Sequence, residues 1–149
     1  MTILASAEAL RAKKVSSLEL TNDALEKIAR DNQRLNAFIT VDAETARARA
    51  SAMDAELSHG IDRGPLHGIP FAHKDLVYTK GIRTTGGSRI FAGFVPDHDA
   101  DIAIHLNNAG AVLVGKTNLH EFAYGITSTN PHFGAVRNPW DTERIPGGS

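Results

Sequence analysis

The sequence contains no cysteine, only one tryptophan and no long apolar run among its 149 residues. The absence of cysteine excludes disulfide bonds and thiolate zinc sites, and it favours a reducing compartment. No apolar stretch approaches the ~20 residues that a membrane helix needs. Residues 1–14 also lack the basic-then-apolar pattern of a signal peptide. We therefore expect a cytoplasmic protein with no membrane association.

An excess of charge is absent too, because the formal net charge is −1 and both signs are scattered along the chain. No basic cluster is available to attract nucleic acid or anionic lipid, so direct nucleic-acid binding is not expected. The hydrophobic share of 42% and the charged share of 22% are ordinary for a globular protein. Length and composition therefore allow an enzyme domain with its own core.

Apolar periodicity predicts helices in the first third of the chain. Ser16 and Glu19 have the spacing of a capping box ahead of an apolar stripe that continues to about Arg30. A short strand is predicted at residues 37–41. A second helix is predicted after Asp42, ending at Gly60.

The following segments predict strands that pack beneath helices. They are a strand at 69–73, a helix at about 100–109 and a strand at 111–114. Such a helix-glycine-strand unit is typical of a sheet covered by helices. The expected fold class is α/β, with N-terminal helices followed by part of a mixed β-sheet covered by helices. Periodicity disappears from Tyr124 onwards, and so long an irregular segment is more often functional than idle.

One segment matches a nucleotide-binding motif letter by letter. Residues 110–117 read G-x-x-x-x-G-K-[ST], the loop whose backbone amides surround a phosphate in nucleotide-binding proteins. The four intervening residues here are Ala-Val-Leu-Val, which favours a strand, and no strand is predicted to precede Gly110. We interpret this run as a strand, and P-loop nucleotide binding stays a remote alternative.

Acidic and histidine residues do not predict a metal site. The acidic run at 97–101, with His105, lies at the start of a predicted helix, where capping and the helix dipole favour acidic side chains. His120 and Glu121 lack the second histidine of a zinc-protease helix, because Tyr124 occupies that position. We expect neither a metal nor a cofactor.

Lys74 is a candidate general base, because it lies at the end of an apolar, strand-like run at residues 64–75. A lysine acts as a base only when it is neutral, and removal from water favours the neutral form. Gly147 and Gly148 allow the hydroxyl of Ser149 to follow a backbone path that other residues resist. Taken singly, a surface lysine and a flexible tail are the simpler interpretations.

Five blocks in order carry a family resemblance: residues 64–75, 84–88, 109–118, 121–123 and 138–149. With these blocks the chain resembles the amidase signature family over nearly its whole length. The resemblance implies that residues 1–149 are the N-terminal portion of a single amidase signature domain.

In that family a Ser-cisSer-Lys triad hydrolyses a carboxylic amide to the acid and ammonia or an amine. The resemblance implies that Lys74 is the base and that Ser149, preceded by a cis peptide bond, is the bridging serine that relays the proton. The nucleophilic serine and its oxyanion hole would lie beyond residue 149. Residues 1–149 alone are therefore expected to be inactive.

Residues 122–130 lie between matched blocks, and the resemblance suggests that they line the acyl side of the pocket. The candidate substrate-binding residues there are Ala123, Tyr124, Gly125 and Ser128. The resemblance fits a stand-alone amidase and also the A (glutaminase) subunit of the tRNA-dependent amidotransferase. A truncated, non-catalytic chain is a further alternative. The implied partners are a small-molecule amide substrate and either a second copy of the chain in a homodimer or the other amidotransferase subunits.

Overall fold

The computed structural model describes residues 2–148. Its regular elements in chain order are α1 (Ile3–Arg11), α2 (Ser17–Leu35), β1 (Phe38–Val41), α3 (Ala43–Ser58), β2 (Pro70–Lys74), α4 (Asp101–Asn108) and β3 (Val112–Thr117), with 3₁₀ turns at Arg89–Phe91 and Glu121–Ala123. No helix in this described part is long and apolar enough to cross a membrane.

Helix α2 begins where its capping signals predict. The Ser16 side chain accepts a hydrogen bond from the Glu19 backbone N–H, and the Glu19 carboxylate accepts one from the Ser16 N–H at 2.7 Å. The helix continues past Arg30 to Leu35, and it ends at Asn36, which adopts a left-handed conformation with φ of 51°. The capping box is thus confirmed, whereas the predicted end was too early.

Helix α1 was not predicted from the sequence. Thr2 caps it by accepting a hydrogen bond from the N–H of Ala5 at 3.2 Å. Ala7 and Leu10 are buried against Ile69, just ahead of β2. Helix α1 therefore packs on the segment that leads into the strand ending at Lys74.

The three strands form a mixed sheet in the order β1-β3-β2, as the fold class predicted. Strand β3 is antiparallel to β1 and parallel to β2, and its register places Lys116 opposite His73 and Thr117 opposite Lys74. Strand β3 continues beyond its predicted end at Val114 because residues 115–117 pair with β1. Gly115 is needed there, since a Cβ would lie 3.1 Å from the Cα of Val41.

Helices α2 and α3 pack on one face of the sheet. The buried side chains of this core are Leu25, Ala46, Ala50, Met53, Val112 and Val114. Each large apolar side chain buried in this way contributes about 1.5–3 kcal/mol. The core fixes β3, and parallel pairing with β3 then fixes the end of β2.

The described part of the chain after Tyr124 contains no helix or strand, as predicted. Long-range hydrogen bonds hold this segment to the rest of the fold. Asn36 donates from Nδ2 to the carbonyl oxygen of Phe133 at 2.7 Å, and the N–H of Arg137 donates to the carbonyl oxygen of Leu35 at 2.8 Å. The end of α2 therefore serves as an attachment point for the irregular segment.

Candidate active site

Lys74 is the last residue of β2 and is half-buried. Its carbonyl oxygen accepts a hydrogen bond from the N–H of Val77 at 2.9 Å, so the chain turns immediately after the strand. The carboxyl ends of parallel strands are where α/β sheets commonly hold functional groups. Strands β2 and β3 both end at this edge, with Lys74 opposite Thr117.

Asp75 follows Lys74 and is fully buried. Its Oδ2 atom accepts hydrogen bonds from the N–H of Thr85 at 2.9 Å and from the Thr85 hydroxyl. Burial raises the pKa of this carboxyl group, and the two hydrogen bonds from Thr85 act in the opposite direction. The N–H of Asp75 donates to the carbonyl oxygen of Thr117 at 3.1 Å. Asp75 therefore joins the end of β2 to the loop at residues 84–88.

Backbone hydrogen bonds extend this connection to the second 3₁₀ turn. The N–H of Gly86 donates to the carbonyl oxygen of Asp75 at 2.8 Å, and the N–H of Phe122 donates to the carbonyl oxygen of Gly86 at 2.8 Å. Gly86 has φ of 62°, and a Cβ there would lie 3.3 Å from the Phe122 ring. Glycine at this position thus allows both the conformation and the close approach.

Asn130 connects the same loop to the irregular segment. Its Nδ2 atom donates to the carbonyl oxygens of Gly87 at 2.8 Å and Leu119 at 2.9 Å. Its Oδ1 atom accepts from the N–H groups of His132 at 2.8 Å and Phe133 at 2.9 Å. Asn130 is only 3% exposed; the two hydrogen bonds that it donates are buried, and the two that it accepts are partly buried.

The four candidate substrate-binding residues have different surroundings. Ala123 has φ of 56°, in the left-handed region that residues with a Cβ seldom adopt. The side chain of Tyr124 projects into solvent and is 94% exposed. Gly125 lies against His120, whose ring any Cβ at position 125 would overlap. Ser128 is buried, and its hydroxyl donates to the carbonyl oxygen of Gly147 at 2.9 Å.

The predicted bridging residue, Ser149, lies outside the described residues. The two glycines before it are described, and Gly148 packs against Ser128 so closely that a Cβ would lie 2.6 Å from the Ser128 Oγ. The structure thus brings Gly147 and Gly148 next to the predicted substrate-binding segment.

An apolar cavity of about 140 Å³ lies beside the turn that follows Lys74. It is lined by Leu76, Tyr78, Thr84, Gly86, Phe91, Phe94 and Phe122. No sequence pattern indicates this cavity, because its lining residues are spread between positions 76 and 122. Its size and aromatic lining suit a small apolar group.

The nucleotide-motif segment forms strand β3 from Val112 onwards, so its interpretation as a strand is confirmed. Its backbone pairs with β1 and β2, and these residues form no loop that could surround a phosphate. Lys116, which belongs to the nucleotide motif and to the matched block at 109–118 but was given no role from the sequence, is fully buried. Its Nζ donates to Thr84 Oγ1 at 2.9 Å and to the carbonyl oxygen of Val77. Burial lowers its pKa to about 8, opposed by Asp75 and Asp99.

Among residues 2–148, no three acidic or histidine side chains are grouped so that they could hold a metal ion. Asp99 accepts a hydrogen bond from the N–H of Lys80 at 2.7 Å, and Asp101 lies in the first turn of α4.

The Oε1 atom of Glu121 lies 3.0 Å from the Nε2 atom of His132. A hydrogen bond from Ser88 lowers the pKa of Glu121, with His132 adding to the effect.

Comparisons with known proteins give a consistent result. The Amidase family model matches residues 19–149. The A subunit of glutamyl-tRNA(Gln) amidotransferase from Azoarcus sp. (strain BH72) is 55% identical over 141 residues, covering 95% of this chain and 29% of that relative. A crystal structure of an amidase superposes with a TM-score of 0.91 at 41% identity, covering 100% of this chain and 34% of the other. Native peptide amidase from Stenotrophomonas maltophilia superposes with a TM-score of 0.94 at 35% identity, covering 100% of this chain and 32% of the other.

The mixed sheet, its helical cover and these superpositions define an α/β protein of the amidase fold. The chain belongs to the amidase family, as the resemblance of its five blocks predicted. It spans about 29% of the length of the amidotransferase subunit that it matches.

Proposed function

We propose that this chain is the N-terminal portion of a single amidase domain and supplies its base, Lys74, and its bridging hydroxyl, Ser149. The observation that carries the proposal is a chain of hydrogen bonds that connects the end of β2, through Asp75 and Gly86, to the Glu121–Ala123 turn. It joins segments from three of the matched blocks in a chain that belongs to the amidase family. The nucleophilic serine would lie in the further segment that the relatives possess. "Full-length protein" below means this chain together with that segment.

The proposed reaction hydrolyses a carboxylic amide in two stages. Lys74, acting as the base, takes a proton from the Ser149 hydroxyl while Ser149 takes one from the nucleophilic serine, whose oxygen attacks the amide carbonyl carbon. The proton returns through the same hydroxyl to the leaving nitrogen, so ammonia or an amine departs and an acyl-enzyme remains. Water, activated in the same way, then releases the acid and restores the serine. A hydroxyl suits this relay because it donates and accepts at once.

We assign Ala123, Tyr124, Gly125 and Ser128 to the acyl side of the substrate site. The left-handed backbone of Ala123 supports this assignment, because backbone strain tends to collect at functional sites. The exposed ring of Tyr124 is available to a ligand, and Ser128 lies against the glycines that precede Ser149. The aromatic-lined cavity supports an apolar group on the substrate.

A second candidate is the A subunit of an amidotransferase, in which glutamine would be the amide that is hydrolysed. The observation that favours it is the 55% identity to the A subunit of the Azoarcus glutamyl-tRNA(Gln) amidotransferase. The partners would then be the other amidotransferase subunits, whereas a stand-alone amidase could act as a homodimer. A cytoplasmic location stays a prediction for both candidates.

The two candidates differ in substrate range and in their need for partners. The test measures ammonia released by the purified full-length protein from primary amides, peptide amides and glutamine. A stand-alone amidase should hydrolyse amides other than glutamine without a partner. An amidotransferase subunit should be restricted to glutamine, and co-expressed partner subunits should increase its rate. A folded full-length protein that releases no ammonia in either setting would contradict both candidates.

A further inference from the structure

Two lysines that the sequence places far apart are linked through one residue. The N–H of Val77 donates to the carbonyl oxygen of Lys74 at 2.9 Å and closes the turn at residues 74–77. The carbonyl oxygen of Val77 accepts a hydrogen bond from Lys116 Nζ, which also donates to Thr84 Oγ1 at 2.9 Å. Lys116 thus contacts both the turn that begins at Lys74 and the loop that covers it.

Lys116 is 0% exposed, which is unusual for a lysine. An apolar side chain would fill the same strand position without the cost of desolvating an amine. Packing alone therefore does not explain a lysine here, whereas its two directed hydrogen bonds do. Both bonds need only two protons, which the ammonium and the neutral amine can each provide.

Asp75 holds the other side of the same turn. Its Oδ2 accepts from both the N–H and the hydroxyl of Thr85, the neighbour of the Thr84 that Lys116 contacts. Its Oδ1 is buried and has no hydrogen-bond partner among the described residues. The turn after Lys74 is therefore fixed through the Asp75 side chain and through the Val77 carbonyl group, and both contacts lead to the same loop.

The strand register determines how Lys116 can influence Lys74. Lys116 lies opposite His73, so these two side chains point to the same face of the sheet. Side chains alternate along a strand, so the side chain of Lys74 leaves β2 on the opposite face. Any influence of Lys116 on Lys74 must therefore pass largely through the backbone of the turn.

We propose that Lys116 is a positioning residue for Lys74. Through Val77 and Thr84, and together with Asp75, it sets the backbone turn that determines where the Lys74 amine lies. This role rests on the proposed function of Lys74 as the base. On this proposal, the buried lysine of the G-K-T sequence supports amide hydrolysis by positioning the base, and it does not bind a nucleotide.

The first test compares Lys116→Met with Lys80→Met in the full-length protein, because Lys80 is an exposed lysine of the segment that follows β2. Misplacement of a catalytic group by about 1 Å costs roughly a hundredfold in rate. We therefore expect kcat of Lys116→Met to fall roughly 10- to 100-fold with KM within about twofold of wild type. Lys80→Met should match the wild type. Wild-type kcat in folded Lys116→Met would overturn the proposal.

A second pair of variants covers the outcome in which Lys116→Met does not fold. Thr84→Val removes the acceptor of the Lys116 hydrogen bond with little change in shape, and Thr84→Ser retains the hydroxyl. The proposal expects kcat to fall roughly tenfold in Thr84→Val and to be restored in Thr84→Ser. Equal kcat values in the two variants would overturn it.

Amide hydrogen exchange separates this proposal from the proposed function. In a peptide spanning residues 71–80, amide exchange should be faster in Lys116→Met than in Lys80→Met. If Lys116→Met does not fold, Thr84→Val takes its place in this comparison. This measurement needs no substrate, so it tests the positioning even if the wild-type protein hydrolyses no amide. Unchanged exchange at the turn would overturn the positioning role alone. If Lys74→Ala abolishes amide hydrolysis while Lys116→Met does not, the proposed function stands and the positioning fails.

Discussion

The hydroxyl of Ser128 donates a 2.9 Å hydrogen bond to the carbonyl oxygen of Gly147, 19 positions further along the chain. Ser128 is only 6% exposed and has φ of 52°, so its conformation is constrained as well as its side chain. The glycines that precede Ser149 are therefore held against the predicted substrate-binding segment by a side chain and not by regular secondary structure.

We expect Ser128→Ala to weaken this attachment. Loss of this partly buried hydrogen bond should lower the free energy of unfolding by about 1 kcal/mol. If the glycines set the position of Ser149, kcat/KM for amide hydrolysis should also fall by roughly tenfold. Urea unfolding and steady-state kinetics of the full-length protein measure both effects.

Ser51→Ala is the matched control, because Ser51 is an exposed serine of α3 whose hydroxyl bonds to the carbonyl oxygen of Arg47. It should leave stability and kinetics near wild type. Identical kinetics for Ser128→Ala and Ser51→Ala would show that this hydrogen bond does not position the site.

Asn130→Ala should be among the most destabilising substitutions in the irregular segment. It removes two buried and two partly buried hydrogen bonds and leaves two carbonyl groups, of Gly87 and Leu119, without this donor. At about 1 kcal/mol for each bond, we expect a loss of roughly 3–4 kcal/mol in the free energy of unfolding. Asn108→Ala, at an exposed position in α4, is the control. A loss below about 1 kcal/mol in urea unfolding would contradict the role of Asn130 as a structural junction.

Lys116 should make the stability of the protein depend on alkaline pH. Burial lowers its pKa from 10.5 to about 8, with Asp75 and Asp99 opposing the shift. Between about 8 and 10.5 the unfolded chain retains a proton that the native state has lost, so this group makes stability rise with pH in that window. His73 also interacts with Lys116: burial lowers the pKa of His73, and the charge of Lys116 lowers it further.

The measurement for Lys116 is urea unfolding of the full-length protein at several pH values from 8 to 10.5. Lys116→Met should lack the rise, so the free energy of unfolding of the wild type minus that of the variant should increase with pH. A difference that stays constant across the window would contradict the lowered pKa.

Local signals were sufficient to predict several elements from the sequence. The capping box of α2 involves residues three apart, Ser16 and Glu19, and Asp42 likewise caps α3 through Thr45. Helix α1 was missed, although Ala7 and Leu10 have helical spacing after Thr2, because its apolar face is short and is defined by packing on Ile69.

The candidate site was only partly predictable, for a physical reason. Lys74 could be placed at the end of a strand because the preceding run is local in sequence. The burial of Lys116 could not be predicted, because it depends on Val77 and Thr84, which cover β3 from a distant segment. A lysine in a strand is usually exposed, and only tertiary structure reveals the exception.

Ser149 is predicted to relay the proton and not to attack the substrate. A nucleophile needs oxyanion donors aimed at the developing charge, and the amidase resemblance puts those donors beside a serine further along the full-length protein. A serine-reactive fluorophosphonate should therefore label that downstream serine, as read by mass spectrometry of the digested protein. Stoichiometric labelling of Ser149 itself would mean that the two roles are reversed.

The central claim, that Lys74 is the base of an amidase, is tested most directly by kcat/KM of the full-length Lys74→Ala protein. Loss of a general base lowers the rate by roughly 10²–10⁴-fold, and Lys74→Arg should also be inactive because arginine cannot release its proton. Lys80→Ala, at an exposed lysine, controls for the loss of a positive charge. We predict that both Lys74 variants keep the wild-type melting temperature within a few degrees and lose amide hydrolysis, whereas Lys80→Ala retains it. Wild-type turnover by a folded Lys74→Ala protein would contradict the account.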